Sequence, residues 1–269
     1  MKAPCFTLGG TAASAARTLA LATILLAFAA TAQPPPLPGP LVMPDLTPGP
    51  IPRTGDGNPD LSGIWQVGFD LDAYFPLATL ERTEPVGFTG GMPNYRREAA
   101  ARVRQLATKD DPVLQCLPWG ILRQPGIPFP IQLVQTRDQV VVLYEYFHSY
   151  RVVPTDGRAH RRDLIPSYLG DPAGRWDGDT LVVDVVGFND ETWIGEPGTF
   201  HTEEMHVVER YTLVNENALH WRATVEDPAV LSEPWTLELF LSRAKPGTQL
   251  IESLCTDIST SQHVRDEPR

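Results

Sequence analysis

Positive charge is scarce in this sequence of 269 residues, which has 22 lysine and arginine residues but 33 aspartate and glutamate residues. The formal net charge at pH 7 is −11. A surface with this balance repels phosphate backbones and anionic lipid headgroups. The composition therefore argues against nucleic acid and lipid surfaces as partners.

Motifs of several common enzyme classes are also missing. The sequence has no G-x-S-x-G nucleophile elbow, no Ser-His-Asp order, no glycine-rich phosphate loop and no dinucleotide fingerprint. Hydrolase, kinase and dehydrogenase functions therefore lack support in the sequence.

Long apolar runs are limited to one, TLALATILLAF, near the N-terminus. The run follows Lys2 and Arg17 and precedes Ala30-Thr31-Ala32, a pattern typical of a secretory signal peptide and too short for a membrane span. No cysteine follows the run directly, which argues against a lipoprotein anchor. We therefore expect cleavage near Ala32, loss of residues 1–32, and a periplasmic or secreted protein without a membrane anchor.

Cysteine is rare as well, and one of the three, Cys5, leaves with the predicted signal peptide. The remaining pair, Cys116 and Cys255, would meet an oxidising compartment, where a disulfide is the expected state. Two buried free thiols are the alternative, because sequence alone does not give the distance between them.

Short runs of branched and aromatic residues, separated by turn residues, fill most of the remaining chain. A proline-rich extended leader (33–58) precedes a predicted β-barrel domain (59–258) and a polar tail (259–269). The predicted strands are 61–69, 131–136, 139–153, 180–188, 204–214, 218–226, 235–244 and 248–256, with one short helix inserted at about 95–107. Short links favour antiparallel hairpins, and a long meander avoids exposed edges by closing. We therefore predict an all-β fold, an antiparallel up-and-down barrel.

Several motifs together resemble a group of known proteins. They are PDLSGIW (59–65), CLPWG (116–120), LYEYFHSYR (143–151), DGR (156–158), GRWDGDTLVVDVVGFND (174–190), HTEEMHVVER (201–210) and the late Cys255. With them, the chain resembles a large group of secreted bacterial proteins, most of which carry no assigned activity. Gly63-Ile64-Trp65 also resembles the opening strand of lipocalins and related calycin barrels, which implies a lipocalin-like barrel.

This group is similar to cofactor-free lyases that cleave a carbon-carbon bond in lignin-derived phenylcoumarans, by decarboxylation or by loss of formaldehyde. The resemblance implies an exported lyase that uses acid/base chemistry on a small aromatic molecule. The residues that match the group's pattern in the most polar motif are Glu203, His206, Glu209 and Arg210. The chain departs from the pattern at Glu204, where a small residue is usual, and at Tyr168, where tryptophan is usual.

The motif HTEEMHVVER is dense in side chains that can move protons or hold a metal. In a strand, His201, Glu203 and Glu209 lie on one face, and His206 and Arg210 lie on the other. The two histidines then point apart, and their spacing lacks the helical register of the known zinc motif. No metal site is predicted.

The predicted strand 139–153 places Tyr144, Tyr146 and His148 on one face and Glu145 and Arg151 on the other. Both faces mix aromatic with ionisable groups, so some polar groups must be buried, and burial is costly without a partner. Either these side chains line a site, or Glu145 and Arg151 form a structural ion pair.

Asp184 lies in the apolar run Leu-Val-Val-Asp-Val-Val. We expect a buried carboxyl with a raised pKa, unless a cation or hydrogen bonds keep it charged, with Arg210 or Arg151 as the candidate partner. It is either a pocket acid or part of a structural ion pair. Beyond this strand, Asn189 and Trp193 lie on a loop that suits ligand contact at a barrel mouth.

The sequence thus predicts an enzyme with His148, Glu203 and His206 as catalytic residues. A histidine would remove a phenolic or carbinol proton, and Glu203 would orient it or act as the acid. The predicted substrate-binding residues are Tyr144, Tyr146, Asp184, Asn189, Trp193, His201 and Arg210. No cofactor is expected, the partner is a small aromatic or apolar molecule, and a homo-oligomer is compatible with the sequence. The alternatives are a non-catalytic lipocalin-like protein that binds an apolar ligand and a structural or sugar-binding envelope protein.

Overall fold

The computed structural model describes residues 44–67, 91–127, 129–195, 198–253 and 255. The predicted signal peptide (1–32), the start of the predicted leader (33–43) and the predicted polar tail (259–269) lie outside these residues.

In the described residues, nine strands form one sheet. They are β1 (Gly63–Val67), β2 (Ile131–Gln135), β3 (Gln139–Tyr144), β4 (Tyr150–Pro154), β5 (Asp171–Asp177), β6 (Thr180–Val186), β7 (His206–Asn215), β8 (Ala218–Glu226) and β9 (Trp235–Arg243). Their order is β4-β3-β2-β1-β9-β8-β7-β6-β5, and every paired neighbour is antiparallel. The sheet curls into a nearly closed, lipocalin-like barrel, which confirms the predicted fold class.

Two short α-helices accompany the barrel in the described part of the chain. Helix α1 (Arg97–Val103) lies within the predicted helix, and α2 (Gly120–Arg123) follows two 3-10 turns, Thr108–Asp110 and Pro112–Gln115. None of the described helices is long and apolar enough to cross a membrane.

The predicted strand 139–153 is wrong, because the chain turns back within it to form the β3–β4 hairpin. Phe147 and His148 have φ angles of 61° and 47°, which lie in the left-handed region and cannot continue a strand. The sequence pattern also missed β5, in which Pro172 and Gly174 interrupt the usual strand composition.

The last predicted strand, 248–256, is also wrong within its described residues, which form no strand. The backbone N–H groups of Ile251 and Ser253 donate to the Glu145 carboxylate and to His148 Nε2, at 2.9 and 3.0 Å. These side-chain bonds take the place of a ladder. The predicted disulfide is present, because Cys116 and Cys255 are bonded with their Cα atoms 5.5 Å apart.

The barrel closes at a junction between β4 and β5. When the antiparallel pairs are traced in both directions from β1, these two strands run in the same direction, because the number of strands is odd. A parallel pair needs a long connection, which residues 155–170 supply; we call them the crossover segment. Within the described residues no ladder joins β4 to β5.

Gly174 permits the close approach of the two strands at this junction. A Cβ atom at this position would lie 2.7 Å from the Pro154 carbonyl oxygen and 2.9 Å from Val153 Cγ1. Any larger residue would therefore push β5 away from β4. We call this unladdered junction the seam.

Many described side chains are buried inside the barrel. The inward-facing residues are apolar on most strands and fully buried; among them are Trp65, Leu133, Val183, Leu219, Trp221 and Leu239. At the start of β1, the Arg243 guanidinium lies 4.2 Å over the Trp65 ring and occupies the space that a Cβ at Gly63 would need. The Gly-x-Trp pattern is therefore explained by close packing at this position.

Candidate functional site

A pocket of about 680 Å³ lies along the seam. Tyr150, Arg151 and Val152 at the start of β4 form one wall, and residues 170–172 at the start of β5 form another. The crossover segment closes it with Arg158, Ala159, Arg161 and residues 167–169. Small-molecule sites typically have this volume. We call it the crossover pocket.

The GFND motif, residues 187–190, supports one end of the crossover segment. The Ser167 N–H donates to the Gly187 carbonyl at 3.0 Å, and the Asn189 N–H donates to the Ser167 carbonyl at 2.9 Å. Gly187 has a left-handed φ of 72°, and a Cβ at this position would lie only 3.1 Å from Leu164 Cδ1. The motif thus fixes a wall of the pocket through its backbone.

Four side chains form a line of alternating carboxylates and imidazoles that starts in the pocket wall. His160 Nδ1 lies 3.2 Å from the Asp171 carboxylate, and His160 Nε2 lies 2.8 Å from the Asp184 carboxylate. The other oxygen of Asp184 lies 3.0 Å from His206 Nε2. We call Asp171, His160, Asp184 and His206 the His–Asp chain.

Different elements of the fold bring the His–Asp chain together. Asp171 opens β5, Asp184 lies on the outer face of β6, His206 opens β7, and His160 reaches them from the crossover segment. Asp171 is mostly buried, whereas the Asp184 and His206 side chains are 45% and 35% exposed. The chain therefore connects the pocket wall to solvent.

The charges of the His–Asp chain stabilise one another. Burial disfavours the charged form of His160, but hydrogen bonds to Asp184 and Asp171 outweigh it, so the pKa of His160 is raised above 6.5. Burial also opposes ionisation of Asp184, but its hydrogen bonds to His160 and His206 keep its pKa below 3.8. The pKa of Asp171 is lowered in the same way, because the bonds from Arg161 and His160 outweigh its burial.

These shifts make the folding stability depend on pH in a definite direction. The raised pKa of His160 contributes stability that is present below its unfolded value, about 6.5, and is lost as pH rises through the folded value. We expect His160→Gln to reduce the free energy of unfolding more at about pH 5.5 than at about pH 8.5. Urea unfolding of both proteins at each pH measures the difference. An equal loss at both values would contradict the charged state of His160.

A second polar group lies inside the barrel. Arg151 Nη1 and Glu209 Oε2 lie 2.6 Å apart, a close ionic contact at an angle unfavourable for a hydrogen bond, and both side chains are buried. Glu209 Oε1 accepts hydrogen bonds from Arg151 Nη2, Tyr211 OH and Trp221 Nε1 at 2.7, 2.9 and 3.0 Å. Burial opposes the charge on Arg151, but Glu209 holds the pKa of its guanidinium well above the usual range. Tyr144 lies beside this pair, and burial raises its pKa to about 12.

The predicted ion pair between Glu145 and Arg151 is therefore wrong. The turn between β3 and β4 carries Glu145 away from the barrel interior. Its carboxylate accepts a hydrogen bond from the Ile251 backbone N–H in the C-terminal segment. Arg151 instead points inward and meets Glu209.

The predicted environment of Asp184 is also wrong. Its side chain is 45% exposed rather than buried, and its partners are His160 and His206 rather than Arg210 or Arg151. Asp184 alternates with the inward-facing Val183 and Val185, so it lies on the outer face despite its apolar neighbours in the sequence.

Of the three predicted catalytic residues, the structure places His206 in the His–Asp chain and leaves the other two elsewhere. His148 accepts a backbone hydrogen bond from Ser253 beyond the turn that follows β3. Glu203 is exposed in a turn that precedes β7. The three do not converge in one cavity.

The predicted substrate-binding residues are dispersed in a similar way. Tyr146 packs in a small cluster with Val113 and Ile127, separate from the main core, and Trp193 is buried in the main core. His201 is buried, its Nε2 lies 2.8 Å from Thr192 Oγ1, and burial lowers its pKa. Arg210 is exposed on the outer face of β7. Asp184 belongs to the His–Asp chain, and Asn189 supports the pocket through its backbone.

The sequence analysis missed His160 and Asp171. His160 lies in the arginine-rich loop RAHRRD, which has no strand periodicity, and Asp171 begins the strand that the pattern missed. The DGR motif just before His160 was the available signal, since it placed a distinctive element in this loop.

No protein-family model matches this chain, and a search of curated proteins returned no match. Among the described residues, no group of three or more histidine, cysteine, aspartate or glutamate side chains is arranged to hold a metal ion.

Proposed function

We propose that this protein is an exported enzyme that acts on a small aromatic molecule in the crossover pocket by acid/base chemistry. The observation that carries the proposal is the His–Asp chain, which begins at Asp171 in the pocket wall and ends at the half-exposed His206. A continuous line of groups that can bind protons, leading from a pocket to solvent, suits proton transfer during a reaction.

Each member of the His–Asp chain has a role in this proposal. Asp171 contacts the bound molecule and passes the proton between it and His160, whose two ring nitrogens are held by Asp171 and Asp184. Asp184 holds the imidazole of His160 in place through its 2.8 Å contact. His206 then exchanges the proton with solvent. The raised pKa of His160 keeps a proton available near neutral pH.

The reaction that we propose is carbon-carbon cleavage without a cofactor. When a base removes a carbinol proton, the oxygen electron pair forms the C=O bond of formaldehyde and the adjacent carbon-carbon bond breaks. The electron pair left on carbon then accepts a proton from the acid. The step is redox-neutral, so acid/base side chains can complete it.

The alternative function is a non-catalytic protein that carries an apolar ligand. The crossover pocket would be the place for such a ligand as well, because Tyr150 and Val152 expose apolar surface there. Conversion of the bound molecule to products would identify an enzyme, whereas binding without conversion would identify a carrier.

Filling the pocket tests the proposed site. Ala159 lines the pocket and is exposed, so Ala159→Phe is expected to occupy it without disturbing the core. Chelator-treated protein is incubated with a panel of lignin-type aromatic dimers, and formaldehyde, carbon dioxide and aromatic products are measured. We expect turnover by the wild type and a loss of at least about tenfold in Ala159→Phe.

The control is Ala229→Phe, which adds the same ring at an exposed position outside the pocket. It is expected to keep wild-type turnover. Full activity of Ala159→Phe would place the reaction elsewhere, and the absence of turnover across the panel would favour the carrier function.

A further inference from the structure

We propose that the crossover pocket selects molecules that carry a carboxylate, so that its substrates are aromatic carboxylic acid anions. This inference rests on the proposed function in taking the pocket as the substrate site. Binding of a simple aromatic acid tests it without turnover.

Arginines outnumber acidic residues in the lining of the pocket. Arg158 and Arg161 are exposed there, the buried Arg151 is paired with Glu209, and Asp171 is the single acidic residue of the lining. The whole chain, in contrast, carries a net charge of −11. Exposed guanidinium groups gathered in one place on an acidic protein attract anionic ligands to that place.

The negative charge of Asp171 is already paired before a ligand binds. Its carboxylate accepts hydrogen bonds from the Arg161 side chain at 2.6 Å and from the Arg161 backbone N–H at 3.1 Å, and it also contacts His160. These partners already compensate its charge and lower its pKa. Repulsion between Asp171 and an incoming carboxylate is correspondingly reduced.

The two arginines of the crossover segment keep donors available. Arg161 bonds to Asp171 through Nε, and no hydrogen bond to a described residue uses its two terminal nitrogens. Arg158 bonds to Asp156 through Nε and Nη2, which leaves Nη1 without a partner among the described residues. Planar guanidinium groups held by one edge present their remaining N–H groups to a carboxylate in a matching fork geometry.

Aromatic and apolar side chains supply the rest of the site. Tyr150 is 64% exposed and Val152 is 39% exposed, and both line the pocket. Tyr168 lines the pocket as well, and its hydroxyl is bonded to Glu191, which raises its pKa. An aromatic ring beside these side chains would cover exposed apolar surface while its carboxylate reached the arginines.

The test compares benzoate with its neutral isostere benzamide by isothermal titration calorimetry on the mature protein. We expect benzoate to bind more tightly, and its affinity to fall as sodium chloride is raised. Arg158→Gln is expected to weaken benzoate about tenfold, the loss of one charged hydrogen bond, and to leave benzamide unchanged. Arg222→Gln, which removes the same charge from the exposed face of β8, is the control and should match the wild type.

Equal affinities for benzoate and benzamide, or equal losses in the two arginine variants, would overturn the inference. Tighter binding of phenylphosphonate than of benzoate would also overturn it, because the site would then be specific for phosphate. If benzoate fails to bind while filling the pocket still removes turnover, the carboxylate specificity falls and the proposed enzyme remains. If benzoate binds but no substrate turns over, the carboxylate specificity stands and the proposed enzyme function falls.

Discussion

Replacing Glu209 by alanine is expected to lower the free energy of unfolding by about 3–5 kcal/mol. The reason is that Arg151 would remain inside the barrel with an uncompensated charge, since both side chains of the pair are buried. Tyr211 and Trp221 would lose their acceptor at the same time. Urea unfolding followed by tryptophan fluorescence measures the change.

The double variant Arg151→Met, Glu209→Leu is the matched control. It removes both charges together and puts apolar side chains in their place, so we expect it to be much closer to the wild type than the single variant. A double variant as unstable as Glu209→Ala would show that packing, rather than the unpaired charge, causes the loss.

The ion pair also bears on the seam. In the described residues β4 has a ladder partner on one side only, β3, and Arg151 joins it across the interior to β7. Amide hydrogen exchange in residues 150–154 is therefore expected to accelerate in Glu209→Ala more than exchange in β8, which has ladder partners on both sides.

Replacing His160 by glutamine is expected to reduce kcat by about 10²–10⁴-fold, the usual contribution of a general acid or base. Glutamine can form hydrogen bonds with Asp171 and Asp184, but it cannot carry the proton between them. The measurement is kcat as a function of pH on a substrate found in the panel. We expect the kcat of the wild type to change with pH near neutrality and the kcat of the variant to show no such change.

His220→Gln is the control for this prediction. His220 also lies on the outer face of the barrel, pairs with a carboxylate, Glu238, at 3.0 Å, and is partly exposed. It is not part of the His–Asp chain, so its replacement should leave kcat unchanged. Rates within about threefold of the wild type in both variants would reject His160 as the proton-transfer residue.

Local sequence patterns predicted the barrel because its strands are defined by local composition. Alternation in residues 206–213 places Val207, Glu209 and Tyr211 on the inner face, as the period of two requires. The hairpin links fixed the antiparallel order for most strands. The patterns failed at β5, where proline and glycine serve the seam, and at the turn through Phe147 and His148, where strand-forming residues adopt left-handed backbone angles.

The candidate site was predicted only in part. Asp184 and His206 were recognised as residues that could carry chemistry, and the structure joins them through a 3.0 Å contact. Asp184 and His206 lie close together because β6 pairs with β7, which the hairpin order implies. The residue that links them to a pocket, His160, lies in a loop without periodicity, and its position depends on how that loop crosses the barrel.

The sequence by itself determined the class of fold, the candidate cysteine pair for a disulfide and the chemical character of the chain, because these follow from composition, alternation and the number of cysteines. The tertiary structure decided where a site can form. Nine antiparallel-paired strands leave one parallel junction, and the segment that spans it creates a pocket and carries His160 to Asp171 and Asp184. Whether the number of strands is odd, and where the barrel closes, are properties of the whole barrel. No local stretch of sequence contains them.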